Sequence, residues 1–290
     1  MSGVLPAGRK GRPPVPVSAR SSRAGSRAGQ TGISLRRSWA SVLTGHPNRV
    51  GTCRYNQHHG VGGTAPSTAR RHFHVYERNQ AMSQQLIDKC AEGDVSAVKA
   101  LVDKGADVNH RGTHGNTPLG YSAYNGHDEI VRFLLDVGAD PNIAAFDGWS
   151  PLALAVYECR ARLVKLLLES GADPHFVHGD SGENLLHVAV AKSDQGAGTT
   201  QCVALLLRAG VDPNGKTKQG VETDSFYNVT VYSETPLHWA AAYGDEATVK
   251  MLIDAGAEVS IKDGRGDTPL VWAGRHRRPT AIRSLLSIVS

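Results

Sequence analysis

Cysteine is scarce in this chain: four among 290 residues, Cys53, Cys90, Cys159 and Cys202, with no Cys-x-x-Cys pair. That spacing gives no disulfide framework and suits a reducing compartment. No stretch approaches 18 uninterrupted apolar residues, which argues against a membrane-spanning helix. The N-terminus lacks an apolar core segment of the secretory kind. Without such a signal, the formal glycosylation sequon Asn228-Val229-Thr230 is idle. Acids are nearly missing from residues 1–81, where Glu77 stands alone against 13 Lys and Arg, for a net +12. The remaining residues carry 19 basic and 26 acidic side chains, a net of −7. The whole-chain charge of +5 and pI of 9.1 therefore belong to the leading segment, and the part expected to fold is acidic.

That leading segment, taken as residues 1–82, is rich in Arg, Gly, Ser, Pro and Ala and poor in aliphatics. Such a composition buries too little apolar surface to offset chain entropy and is expected to be disordered. Three readings stay open. It is an organelle transit peptide with Ile33–Leu43 as an amphipathic piece, a basic arm for nucleic acid, or a stretch outside the working protein, with Met82 as the true start. Two motifs in it are decoys. Gly60-Val61-Gly62-Gly63-Thr64-Ala65 has no preceding strand to make it a dinucleotide loop. His58, His59, His72, His74 and Cys53 fit no structural zinc spacing. No cofactor and no metal site are expected.

From Ser83 onward the chain repeats itself. Leu101-Val102-Asp103-Lys104-Gly105-Ala106-Asp107-Val108-Asn109 returns as Leu134-Leu135-Asp136-Val137-Gly138-Ala139-Asp140-Pro141-Asn142. Variants end at Pro174, Asn214 and Glu258. The recurring Gly steps from 105 to 138 to 171, twice by 33, then to 210 and 256, by 39 and 46. A second motif runs in phase: Thr117-Pro118-Leu119, Ser150-Pro151-Leu152, the degenerate Asn184-Leu185-Leu186, Thr235-Pro236-Leu237-His238 and Thr268-Pro269-Leu270. A fixed period of this length means stacked supersecondary units. The phased motifs resemble the ankyrin repeat over about Ser83 to the C-terminus.

The physics of one unit is legible apart from that resemblance. Thr117 or Ser150 is an N-cap, and the Pro after it has no amide to satisfy and a φ already set for a helix. Leu119 and Ala123 line a first helix; Ile130, Val131, Leu134 and Leu135 give the second an apolar face of helical period. Gly138 ends it as a left-handed residue. One such unit cannot bury its own face, so the core must run along the array.

The expected fold is thus all-α, a solenoid of helix-turn-helix units with short hairpin loops. Its repeats are expected at 83–109, 110–142, 143–175, 176–214, 215–260 and 261–290, the first and last acting as caps. The fourth lengthens its helix–helix turn through Ser193–Thr200. The fifth carries an insertion, Gly215–Ser233, in which Asn228–Tyr232 alternates like a short strand of an extended finger. Cys90 reads as a buried core thiol. Cys159 replaces the turn glycine of the third repeat and carries no strong signal of reactivity.

No nucleophile is phased with His187 or His238, no phosphate loop recurs, and an enzyme is not expected. The resemblance implies that those two histidines are structural, bonding backbone and the Thr hydroxyl. It also implies that Asp107, Asp140, Asp173 and Asp212 satisfy turn backbone, and that Asn109, Asn142 and Asn214 are candidate hydroxylation sites. It further implies a concave face of hairpin tips and first helices that binds a protein partner. Carried over by phase, the tip candidates are Arg111, Thr113, His114, Asn116, Phe146, Asp147, Trp149, Asp180, Ser181, Glu183, Arg265 and Asp267. The helix candidates are Tyr124, Asn125, Tyr157, Glu158, Tyr243, Arg275 and His276. The expected function is non-enzymatic binding of a protein partner by a cytoplasmic monomer, with no small-molecule substrate and no membrane. The alternative is nucleic-acid binding, or mitochondrial targeting, through residues 1–81.

Overall fold

The computed structural model describes residues 67–112, 115–145, 148–191, 197–223 and 230–287, the side chains of 67–75 and 197 apart. Met1–Gly63 lies wholly outside those residues, and Thr64–Ser290 holds the array.

Its first helix, α1 (Ser67–Glu92), runs for 26 residues. The boundary expected after residue 82 therefore falls inside a helix. No Gly or Pro interrupts 67–92, and Ala, Arg, Gln and Met propagate a helix whether or not it can build a core. Helix pairs follow: α2 (Val95–Asp103) completes the first repeat, and α3 (Pro118–Asn125) with α4 (Asp128–Asp136) makes the second. Then come α5 (Pro151–Tyr157) with α6 (Ala161–Glu169), and α7 (Leu185–Ala191) with α8 (Ala197–Arg208). Strands β1 (Gln219–Glu222) and β2 (Thr230–Tyr232) interrupt before α9 (Pro236–Tyr243) with α10 (Glu246–Asp254) and α11 (Pro269–Arg275) with α12 (Thr280–Ser287). Contacts run in two rows. The first helices pack in the order α1, α3, α5, α7, α9, α11 and the second helices in the order α2, α4, α6, α8, α10, α12, each pair also packing internally. Every repeat touches its neighbours, which makes the core continuous.

The caps work as their chemistry demands. Thr117 Oγ1 accepts from Gly120 N at 3.0 Å and Ser150 Oγ from Ala153 N at 3.1 Å. Thr235 forms a capping box with His238. At the other end, Gly138 has φ +93°, donates to Leu135 O, and lets Ala139 N reach Leu134 O at 2.8 Å. These two bonds form a Schellman motif. It recurs at Gly105, Gly171, Gly210 and Gly256, all left-handed, and the residue after each is buried. A Cβ on Gly138 would meet nothing within 4 Å, so only its backbone conformation opposes a side chain. Gly138→Val is expected to cost roughly 1–2 kcal/mol through φ alone, and Thr117→Ala about 1 kcal/mol through the lost cap. Urea unfolding of the two variants checks this; two neutral results would break the phasing.

The turn between the two helices of a repeat tells the same story in reverse. Gly126 sits there at φ +81°, while Cys159 and Arg277 hold φ +53° and +52° despite their side chains. The expected long turn in the fourth repeat is shorter than Ser193–Thr200 because α8 is already helical at Ala197. A Cβ on Gly198 there would meet the Cys159 carbonyl oxygen at 3.0 Å, and Thr199 is buried.

The insertion departs from an all-α reading in the expected place. β1 and β2 pair antiparallel, Gln219 opposite Tyr232 and Glu222 opposite Thr230, with a bulge at Gly220. Asn228 and Val229 of the expected strand lie outside the described residues.

Candidate functional site

Between repeats the chain closes hairpins, each with a backbone hydrogen bond across its neck: Gly112 N to Asn116 O, Ala145 N to Trp149 O, His178 N to Glu183 O, Thr217 N to Glu234 O and Asp263 N to Asp267 O. The tips are also tied to one another. Lys218 N donates to Ser181 O at 2.7 Å, and Gly264 N donates to Tyr232 O. The inserted finger is thus stapled between the hairpins of the fourth and sixth repeats, and its neck is locked from within. Thr217 Oγ1 donates to the Glu234 carboxylate at 2.9 Å, which also accepts from Tyr232 N at 2.6 Å. Burial raises the Glu234 carboxyl above its ordinary range, although these bonds pull it down.

The recurring polar residues of the motifs are engaged with neighbouring backbone. His187 Nε2 donates to Glu234 O at 3.1 Å, and its Nδ1 accepts from Asn184 N. His238 repeats this one unit later, its Nε2 on Asp267 O at 3.0 Å and its Nδ1 on the Thr235 amide and hydroxyl. Each imidazole bolts one repeat's first helix to the next repeat's hairpin. Burial lowers both, His187 to about 3. Asp107, Asp140, Asp173 and Asp212 each accept the backbone amide two residues on. Asn109, Asn142 and Asn214 bridge units: each Nδ2 donates to the closing Gly carbonyl of the next repeat, and each Oδ1 accepts from the amide two residues beyond that Gly. Their amides are structural staples. Cys90 and Cys202 are buried, and burial pushes both thiols up to about 12.

The residues expected on the binding face divide three ways. Thr113, His114, Phe146 and Asp147 lie outside the described residues. Asn116, Trp149, Ser181 and Glu183 are buried and leave the face, contrary to expectation. Trp149 is 2% exposed because Tyr157, Phe176 and His178 surround it, at ring distances of 5.7, 5.8 and 5.5 Å. Asn116 turns inward to the Tyr121 hydroxyl at 2.8 Å. The Glu183 carboxylate takes the Ser181 hydroxyl at 2.5 Å in the closed tip of its hairpin. The position just before the N-cap points into the stack, which reading by phase alone does not reveal.

Arg111, Asp180, Arg265, Arg275 and His276 are exposed, and Tyr124, Asn125, Tyr157, Glu158, Tyr243 and Asp267 are half-buried. Asn125 donates to Ala91 O at 3.3 Å, linking it to the first repeat. At the C-terminal end these residues form a group. His276 stacks on Trp272 at 6.1 Å and meets Tyr243 edge-on at 5.0 Å. Arg265 lies over the Tyr232 ring at 4.0 Å. Arg275 is paired with the Asp267 carboxylate. Partial burial, then Arg278 and Arg275, hold His276 below its ordinary pKa. Trp272 and Tyr232 were not among the expected contacts. Phase was a usable signal for Trp272, which stands where Tyr121 and Trp239 stand; Tyr232 lies in the insertion, where phase is lost.

Among the described residues no group of three or more His, Cys, Asp or Glu could hold a metal ion. His58, His59 and Cys53 lie outside them, as do the side chains of His72 and His74. No helix among the described residues is long and apolar enough to cross a membrane.

A sequence model described as three copies of ankyrin repeats matches residues 86–178, 138–217 and 186–289. The chain belongs to the ankyrin-repeat family. It is 33% identical over 105 residues to rabankyrin-5 of Mus musculus, which takes in 36% of this chain and 8% of that one. It is 33% identical over 93 residues to inversin of Homo sapiens, 31% of this chain and 7% of that one. The chain thus spans under a tenth of the length of either relative. Among solved structures, it resembles a chain in that of the Bd0816 predatory endopeptidase from Bdellovibrio bacteriovorus in complex with immunity protein Bd3460. The TM-score is 0.56 at 27% identity, over 71% of this chain and 97% of that one. Ankyrin repeats generally serve protein interaction.

Proposed function

We propose that this ankyrin array binds a partner protein, without catalysis, along the face made by its hairpin tips and first helices. One observation carries the reading. Tyr124, Tyr157, Tyr243 and His276 occur at or just beyond the ends of the first helices of the second, third, fifth and sixth repeats and stay partly or wholly accessible, while the apolar stripes of the same helices are buried. Amphipathic rings on a rigid backbone are the groups that dominate protein contacts. The tied hairpins supply rigidity, so little ordering entropy opposes association. The solved structure with the similar fold is itself a protein–protein complex, which agrees with a protein partner.

A pull-down with the full chain against its partner, repeated with Tyr124→Ala and Tyr157→Ala together, tests this. Loss of about thirtyfold in affinity is expected for two contact rings. Tyr157 also touches Trp149, so the melting curve is measured beside the affinity. Unchanged affinity would sink the reading. A preparation beginning at Met82 separates it from action through residues 1–81: partner binding that survives belongs to the array.

A further inference from the structure

The last repeat reverses the charge of the array that leads to it. Residues 82–261 hold 13 Lys and Arg against 24 Asp and Glu, whereas residues 262–290 hold six against two. Of those two acids, Asp263 is buried and turned inward. Its carboxylate accepts from Arg265 N, Asp267 N and the Trp272 indole, each at 2.9 Å. Asp267 is the other, only 15% exposed in its side chain, and it braces Arg275, which remains 59% exposed.

Two of the basic groups here are held in place rather than left on mobile stems: Arg265 is laid on the Tyr232 ring and Arg275 is gripped by Asp267. Arg277 is exposed in the turn after the first helix. Trp272, on the helix that carries Arg275, stacks with His276. Arg278 contributes little outward, since its guanidinium is turned to the Gly244 carbonyl. The result is a preorganised cationic patch around an aromatic shelf, at one end of an array that is otherwise acidic.

We propose that this patch receives a short acidic segment of the partner protein. Its carboxylates pair with Arg265, Arg275 and Arg277, and an apolar side chain rests on the Trp272–His276 shelf. The proposal rests on the binding-face reading above and adds the chemistry of the bound segment. Charge complementarity selects this occupant. Arginine presents a planar fork that fits carboxylates two bonds at a time. A long polyanion such as a nucleic acid would leave the patch and run along repeats of net negative charge. Repulsion there acts over a Debye length of about 8 Å at physiological salt. A second copy of this chain, docking its acidic repeats head to tail, would build an open chain of molecules rather than a closed pair.

Fluorescence anisotropy of a labelled short Asp/Glu-rich peptide containing leucines, titrated with the full chain, tests the proposal. The same peptide with Asn and Gln in place of its acids, and an oligo-dT, serve as comparisons. Expected are binding of the acidic peptide only, weakening with added salt, and a loss of about tenfold in Arg275→Gln/Arg277→Gln. A photoreactive version of the peptide is expected to cross-link within residues 264–283 of the unaltered chain. Equal affinity in the double variant, with adducts elsewhere, would assign the binding to residues 1–81 and overturn the proposal. So would oligo-dT binding that depends on the same two arginines, or concentration-dependent oligomers that the double variant disperses. Should the double variant melt early, the adduct map on the unaltered chain decides alone. If the arginine variant keeps the natural partner while Tyr124→Ala/Tyr157→Ala loses it, the binding face stands and only this assignment falls.

Discussion

Trp149→Ala is expected to lower the unfolding free energy by about 3–5 kcal/mol, the usual cost of deleting a large buried ring and leaving part of the cavity open. The ring is nearly inaccessible and packs against Tyr157 of its own repeat and against Phe176 and His178 of the next hairpin. It therefore stitches the third repeat to the fourth. A solenoid's stability is a sum of units and nearest-neighbour interfaces. Weakening one interface should therefore divide the urea transition into two steps as well as shift it. Trp149→Phe should cost much less, because it keeps the apolar contact and removes an indole N–H that is buried without a hydrogen-bond partner. A loss below about 1 kcal/mol in the alanine variant would show that the ring is not structural. The expected loss also means that impaired binding by Trp149→Ala says nothing about a contact with a partner.

His187→Ala should show the second large effect, one that depends on pH. The imidazole is fully buried, and its folded pKa is about 3, against about 6.5 in an unfolded chain. The folded state thus keeps it neutral while the unfolded state takes up a proton below 6.5. Its contribution is whole above pH 6.5 and declines as pH falls toward 3, by about 1.4 kcal/mol per unit. Near pH 7.5 the alanine variant strands Asn184 N, takes from Glu234 O one of its two donors while Thr217 N remains, and should be destabilised by about 2–4 kcal/mol. At pH 5 the unaltered protein has lost about 2 kcal/mol that the variant never had, so the gap should narrow by that amount. The raised Glu234 carboxyl has the opposite sign, its buried neutral form being favoured as pH falls. It is present in both proteins, so the difference between their stability curves isolates His187. Parallel curves from pH 7.5 to 5 would refute the assignment.

Both predictions turn on residues whose places differ in how readable they were. His187 and His238 follow Leu186 and Leu237 in a repeated motif, and the resemblance of that motif to the ankyrin repeat implies a structural imidazole. Trp149 precedes an N-cap on a short turn between polar residues, which looks like a surface ring. Nothing local shows that Phe176 and His178, a repeat away, close over it. Asn116 and Glu183, at the same point of their own repeats, are hidden for the same reason. The helix from Ser67 was obscured differently. Composition judges whether a segment can build a core, and α1 continues outward from a core that other residues build.

The 33-residue phase alone determined the helix pairs, their caps, the left-handed glycines and the family. These depend on hydroxyl, imide and Cβ chemistry within a few residues of one another. Only the packed array decided which hairpin side chains are dry, that Asp263 turns inward, and that Arg265, Trp272, Arg275 and His276 gather beside a ring from the insertion. Those outcomes depend on which neighbouring surface arrives over each turn, and burial by a distant segment leaves no periodic trace in the chain that is buried.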